Sequence, residues 1–155
     1  MNGAVVAGAI AVATLNAVPG ALGCWLWYRR GRPERRALRA FWLLLRAGQA
    51  AALLFAVAIG VLAAAGHYSS ENLFYLYALL PLAVAFVAEQ LRVSSAQTIL
   101  DQRGLPDAQA VGGLSEEDQH ALVADIVHRE MIVMALSALV VAVLELRAAG
   151  TAHGF

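Results

Sequence analysis

Asn16, Gln49 and Glu89 are where this sequence sets polar groups within or beside long runs of Ala, Val, Leu and Gly. Polar groups in such runs are costly to keep from water, so each serves either a helix-to-helix hydrogen bond or the passage of a solute. Amides in helical bundles ordinarily do the first, which is the reading adopted for Asn16 and Gln49. Glu89 is the carboxylate that a proton-coupled carrier would use, but it stands near the charged end of its run. There a long side chain reaches out to headgroups, as Arg46 does beside it. Glu145 and Arg147 are expected to reach outward in the same way at the opposite boundary, and Ser137 lies within the fourth run.

Histidine and carboxylate spacing raises the question of a metal. Glu117-x-x-His120 and Asp125-x-x-His128 echo the Glu-x-x-His element of di-iron bundles. Such a site draws its elements from different helices and adds glutamates from more, whereas both copies here fall on one stretch and are read as solvated surface. His67 and His153 lie outside the runs, so no imidazole pair is set inside them for haem. The lone Cys24 makes neither an internal disulfide nor a CxxC pair. Phosphate-cradling glycine loops, nucleophile elbows and zinc spacings are missing. No cofactor and no metal is expected. An enzyme would have to act on a lipid or quinone at the membrane surface, through Glu89, Asp125 or His128.

The elements that must position these residues follow from composition. Hydrophobic residues make up 61% of the chain and charged ones 14%, and mean hydropathy is +0.67, so most of the surroundings are lipid. A hydrocarbon core about 30 Å thick takes about 20 apolar residues per helical crossing. The runs predict crossings over 4–27, 41–65, 72–92 and 130–149, joined by links 28–40 and 93–129 and a short one between the middle two. Arginine crowds the first link, while 66–72 holds none, which places both long links in the cytoplasm and both termini outside. Without a positive leading segment the first run is expected to be retained rather than cleaved.

Three of the helices are expected to continue into the cytoplasm. Pro33 suits the first turn of the second helix, Gly104 and Pro106 stop the third, and Ser115 to Asp118 cap the fourth. The tip over 104–114 reads as a loop. Arg29, Arg30, Arg35, Arg39 and Arg46 are placed to meet anionic headgroups or a docking partner. A salt-bridge contact between Arg35, Arg39 and Arg46 and the acidic start of the fourth helix, Glu116 to Asp118 with Asp125, is a second use for them. Trp25, Trp27, Tyr28, Phe41 and Trp42 are read as one interfacial belt, and Tyr68, Phe74, Tyr75 and Tyr77 as the other. Gly3, Ala4, Ala7, Gly8 and Ala11, with Ala50, Ala51, Ala56 and Gly60, give small faces for close helix packing.

The sequence therefore predicts an all-α, integral membrane four-helix bundle whose second to fourth helices extend into the cytoplasm. The arrangement resembles small four-span bacterial membrane proteins, which implies a multi-pass architecture in the plasma membrane and no particular activity. A net charge of zero gives no bias toward nucleic acid. The expected partners are anionic lipids and either other membrane subunits or further copies of the chain. The leading expectation is a non-catalytic accessory, assembly or scaffold subunit of a larger membrane complex. The alternative is a small oligomeric transporter or channel using Asn16, Gln49 and Glu89, and the third is the interfacial enzyme.

Overall fold

Long apolar segments that leave water must satisfy their own backbone groups, which a helix does within a single segment, and the described residues are helical over most of their length. The computed structural model describes residues 2–29, 34–105 and 108–153. It contains α1 (Asn2–Tyr28), α2 (Arg35–Ala64), α3 (Asn72–Gln102), the short α4 (Ala108–Gly112) and α5 (Glu116–Thr151). All but α4 are long and apolar enough to cross a membrane. At 1.5 Å per residue α5 is about 54 Å long and α1 about 40 Å, so α5 exceeds the hydrocarbon thickness by far.

The helix ends follow local chemistry. Ser115 caps α5: its hydroxyl accepts from the Asp118 N–H at 3.2 Å and donates to the Asp118 carboxylate at 2.7 Å. Glu116, Glu117 and Asp118 fill the first turn, where the helix dipole favours negative charge. α2 and α3 both close on a glycine with positive φ, Gly66 at 85° and Gly104 at 67°. In each, the residue after the glycine reaches back to the carbonyl five positions earlier, His67 to Leu62 and Leu105 to Leu100, both at 3.0 Å. The 104–114 tip, expected as a loop, carries α4 instead. Pro33 and Pro106 lie outside the described residues.

Around the bundle the order is α1, α2, α3, α5, each packed on its neighbours, and α5 is the hub through broad contacts with α1 and α3. The α2–α3 seam is thin. Three apolar layers stack along the axis. Nearest the α1–α2 link, here the arginine end, lie Leu26, Phe41, Leu45, Met131, Met134 and their neighbours. Val12, Ala52 and Val141 form the middle layer. Val5, Ile59, Phe74, Ala78, Ala148 and Ala152 form the third, at the end closed by residues 65–71, here the serine end.

Packing corrects several expectations. Phe41 and Phe74 are wholly buried and belong to the core, while Trp25, Trp27, Tyr28 and Tyr68 stay exposed as a belt requires. Ala4, Ala7, Ala11, Ala50 and Gly60 turn outward. Of the expected small residues, Gly8 packs under Phe55, where a Cβ would lie 3.1 Å from the ring, and Ala56 is buried. The tightest approaches are at two further glycines: a Cβ on Gly23 would lie 2.6 Å from both Ala135 Cβ and the Phe41 ring, and one on Gly20 2.7 Å from Leu139.

Candidate functional site

The buried seam of α5 runs Met131, Met134, Ala138, Val141, Glu145, Ala148, Ala152, in alternating steps of three and four residues. That repeat keeps one stripe of a helix against its neighbours, so the side chain at 145 is carried into the bundle. Glu145 is 0% exposed, and among the described residues neither carboxylate oxygen has a hydrogen-bond partner. It sits one step from Val141 of the middle layer and one step from Ala148 of the serine-end layer. The expectation that Glu145 reaches the boundary is thus overturned. Arg147 does point outward, its guanidinium 6.0 Å from the Tyr77 ring centre. An unpaired charge withdrawn from water costs several kcal/mol even after relaxation, so Glu145 calls for an occupant that neutralises it.

A second polar group lies on the arginine side of the middle layer. Asn16, 1% exposed, donates through its amide nitrogen to the Val12 carbonyl at 2.9 Å and to the Gly48 carbonyl of α2 at 3.1 Å. Gly48 is needed for this approach, because a Cβ there would meet Asn16 Oδ1 at 2.8 Å and the Leu15 carbonyl oxygen at 3.0 Å. That carbonyl is the one Pro19 leaves without its helical donor. Asn16 therefore joins α1 to α2, as the amide reading expected.

Gln49 and Glu89 meet across the α2–α3 seam. Arg46 donates to the Glu89 carboxylate at 2.5 Å and to Gln49 Oε1 at 2.7 Å, and the Gln49 amide lies 3.5 Å from the same carboxylate oxygen. Arg92 stands 3.5 Å from the other oxygen of Glu89 and 5.7 Å from the Trp42 ring centre. Arg46 is half-exposed and Glu89 about a third, at 51% and 31%, so the pair contributes about 0–1 kcal/mol and tethers the seam rather than defining the fold. The sequence grouped Asn16 with Gln49 and Glu89; the structure joins only the last two by side chains.

No protein-family model, curated protein or solved structure matches this chain. The residues themselves must carry the functional argument.

The remaining candidates have separate engagements. Asp125 pairs at 2.5 Å with Arg103, which caps the end of α3, and Arg46 of α2 pairs with Glu89 of α3, in place of the expected contact between the α2 arginines and the start of α5. His128 stacks on Trp27 at 5.8 Å, and His120 Nδ1 lies 2.7 Å from the Glu116 carbonyl. Glu89, Asp125 and His128 thus have different partners and do not converge on one centre. Among the described residues no group of His, Cys, Asp or Glu is arranged to hold a metal ion. Arg29 lies 4.0 Å over the Trp25 ring, Arg35 and Arg39 are exposed, and Arg30 falls outside the described residues. At the serine end, the His153 carbonyl accepts from Ser70 N–H and from the hydroxyls of Ser69 and Ser70 at 2.9–3.1 Å, fastening the end of α5 to the α2–α3 link.

A lateral groove of about 470 Å³ runs between α3 and α5, lined by Leu80, Val84, Val87, Leu91, Val133 and Leu136 among others. Its lining is aliphatic but for Ser137, whose hydroxyl is bonded to the Met134 carbonyl. It presents a surface for acyl chains and no group with which to select a polar ligand.

Proposed function

We propose that this protein moves a small ion or solute across the membrane and that Glu145 is the group that meets it on the way. The observation that carries the reading is the sealed, unpartnered carboxyl of Glu145. Intramembrane ionisable groups facing a bundle interior are rare and costly, and they mark substrate or ion pathways, proton relays, voltage sensors or ligand counter-ions. Asn16 lies on the other side of the thin layer made by Val12, Ala52 and Val141, which separates two polar stations along the axis. Pro19 and Pro81 interrupt hydrogen bonding in α1 and α3, and proline in membrane helices accompanies cavity-lining backbone as well as simple kinks. In this reading the arginine end faces the cytoplasm of a bacterial cell, and Arg35, Arg39 and Arg46 rest against anionic headgroups.

The test is flux through vesicles reconstituted with the full chain and loaded with indicators for H⁺, Na⁺ and K⁺. A flux above that of protein-free vesicles is expected. Glu145→Gln should abolish it, and Glu71→Gln, at an exposed position, should preserve it. Vesicles no leakier than protein-free ones under imposed gradients would refute the proposal.

The accessory-subunit reading keeps one specific support. α1 turns Ala4, Ala7, Ala11, Thr14, Val18, Ala21 and Trp25 outward in alternating steps of three and four, a mostly small-residue stripe suited to a second helix. Purification in mild detergent should then bring a stoichiometric partner, and a protein isolated alone would remove this support.

A further inference from the structure

We propose that the occupant of Glu145 is a proton, taken up and given back by the carboxyl as –COO⁻ + H⁺ ⇌ –COOH. This rests on Glu145 as the transport group and names its substrate. Only an O–H bond forms and breaks, so no oxidant, reductant or further reactant is required.

The surroundings select the proton by elimination among three ways of neutralising a carboxylate. A basic side chain from a partner subunit cannot approach, because Glu145 is closed within its own bundle at 0% exposure. A basic side chain of this chain is not in place either. Arg147 leans outward over Tyr77, α1 has no charged residue, α2 has none between Arg46 and its end, and the α3 charges Glu89, Arg92 and Asp101 lie toward the arginine end. The other ionisable groups of the serine end have settings of their own: half-buried Tyr75 accepts the Ser69 N–H at 2.9 Å, half-buried Tyr77 lies 6.0 Å beneath the Arg147 guanidinium, Glu71 lies 3.5 Å from His153, and His67 and Tyr68 are exposed.

A metal cation would need several oxygen ligands, six or more for the hard divalent ions. The other buried polar side chains among the described residues are Asn16, Ser69 and Ser95. Each is engaged elsewhere: Asn16 is held by its amide nitrogen to the Val12 and Gly48 carbonyls, and the hydroxyls of Ser69 and Ser95 donate to the His153 and Arg92 carbonyls. Asn16 also sits beyond the middle layer, and Ser95 lies on the arginine side of Glu89. Along its own stripe Glu145 is flanked by Val141, Ala142 and Ala148, which offer no side-chain ligand. One carboxylate in an apolar cage cannot replace the hydration shell of Na⁺ or Ca²⁺, whereas a proton asks for a single oxygen.

The experiment is infrared spectroscopy of the full chain in lipid vesicles, titrated over pH in H₂O and D₂O. The expected result is a carbonyl band at the high frequency of an acid group without hydrogen-bond partners, rising and falling with pH. It should be absent from Glu145→Gln, displaced in Glu145→Asp, and unchanged by NaCl, KCl or CaCl₂. Glu145→Asp retains an acid, so its displaced band assigns the signal even if the glutamine variant fails to fold. No such band at any pH overturns the inference. A band removed by added salt at fixed pH also overturns it, assigns the occupant as a cation and leaves the transport reading standing. A band as described, in a protein whose vesicles carry no flux, keeps the proton site and removes the transport reading.

Discussion

Replacing Glu145 by methionine should make the bundle more stable while removing the proposed transport. Between two apolar layers, both carboxylate oxygens lack a hydrogen-bond partner among the described residues. A buried polar group left unsatisfied costs about 1–3 kcal/mol. Methionine keeps the length and flexibility of the side chain, asks for no hydrogen bond and adapts to irregular gaps, so Glu145→Met should recover most of that cost. The gain, about 1–3 kcal/mol, corresponds to roughly a five- to 150-fold increase in the folded-to-unfolded ratio. The assay is reversible unfolding by SDS in mixed micelles, followed by circular dichroism and by tryptophan fluorescence, since Trp27 stacks on His128 and Trp42 lies beside Phe41. Glu145→Gln, which keeps buried polar atoms, should gain less than Glu145→Met. If methionine instead lowers stability by 1 kcal/mol or more, the carboxyl makes a structural bond and the reasoning fails.

Other perturbations separate packing from polar contacts. Gly23→Ala should destabilise by about 1–3 kcal/mol, because the new methyl meets Ala135 and Phe41 at 2.6 Å. Gly60→Ala, with nothing within 4 Å, should instead be neutral or stabilising by up to about 1 kcal/mol; equal effects in the unfolding assay would contradict the helix order described. Asn16→Leu loses the bond to Gly48 and adds bulk beside it, so a loss of about 0.5–2 kcal/mol is expected. No loss would mean the amide has no structural role. Ser69→Ala with Ser70→Ala removes both hydroxyl donors to the His153 carbonyl, and hydrogen exchange at the end of α5 should quicken while global stability changes little.

The helices were legible because long apolar runs leave the backbone so few options. Run lengths located α1, α2, α3 and α5, and Gly104 and Ser115 announced their helix ends through chemistry that is local in sequence. Which faces turn inward was less legible, because in an alanine-rich membrane sequence apolar residues lie on every side and hydropathy no longer separates core from surface. Phe41 reads as a belt residue by its distance from the arginines, yet it fills the space beside Gly23, a pairing that only the α1–α2 crossing creates. Gln49 and Glu89 were legible as polar candidates, but their meeting through Arg46 depends on α2 and α3 being neighbours, which the sequence does not state.

Glu145 was misread for a related reason. Leu144-Glu145-Leu146-Arg147 looks like the charged end of a span, and distance from the nearest polar flank assigns both charges to the boundary. The stripe tells them apart: Glu145 continues the alternating spacing of Met131, Ala138 and Val141, and Arg147 does not. A glutamate needed only to end a span would serve equally one position earlier or later, outside the stripe, at no desolvation cost. Its position on the seam, between two layers that hold nothing to pair with it, is stabilising for no part of the fold. The placement is a compromise in which the bundle gives up stability for a shielded carboxyl, the condition that the proposed uptake and release of a proton at Glu145 would use.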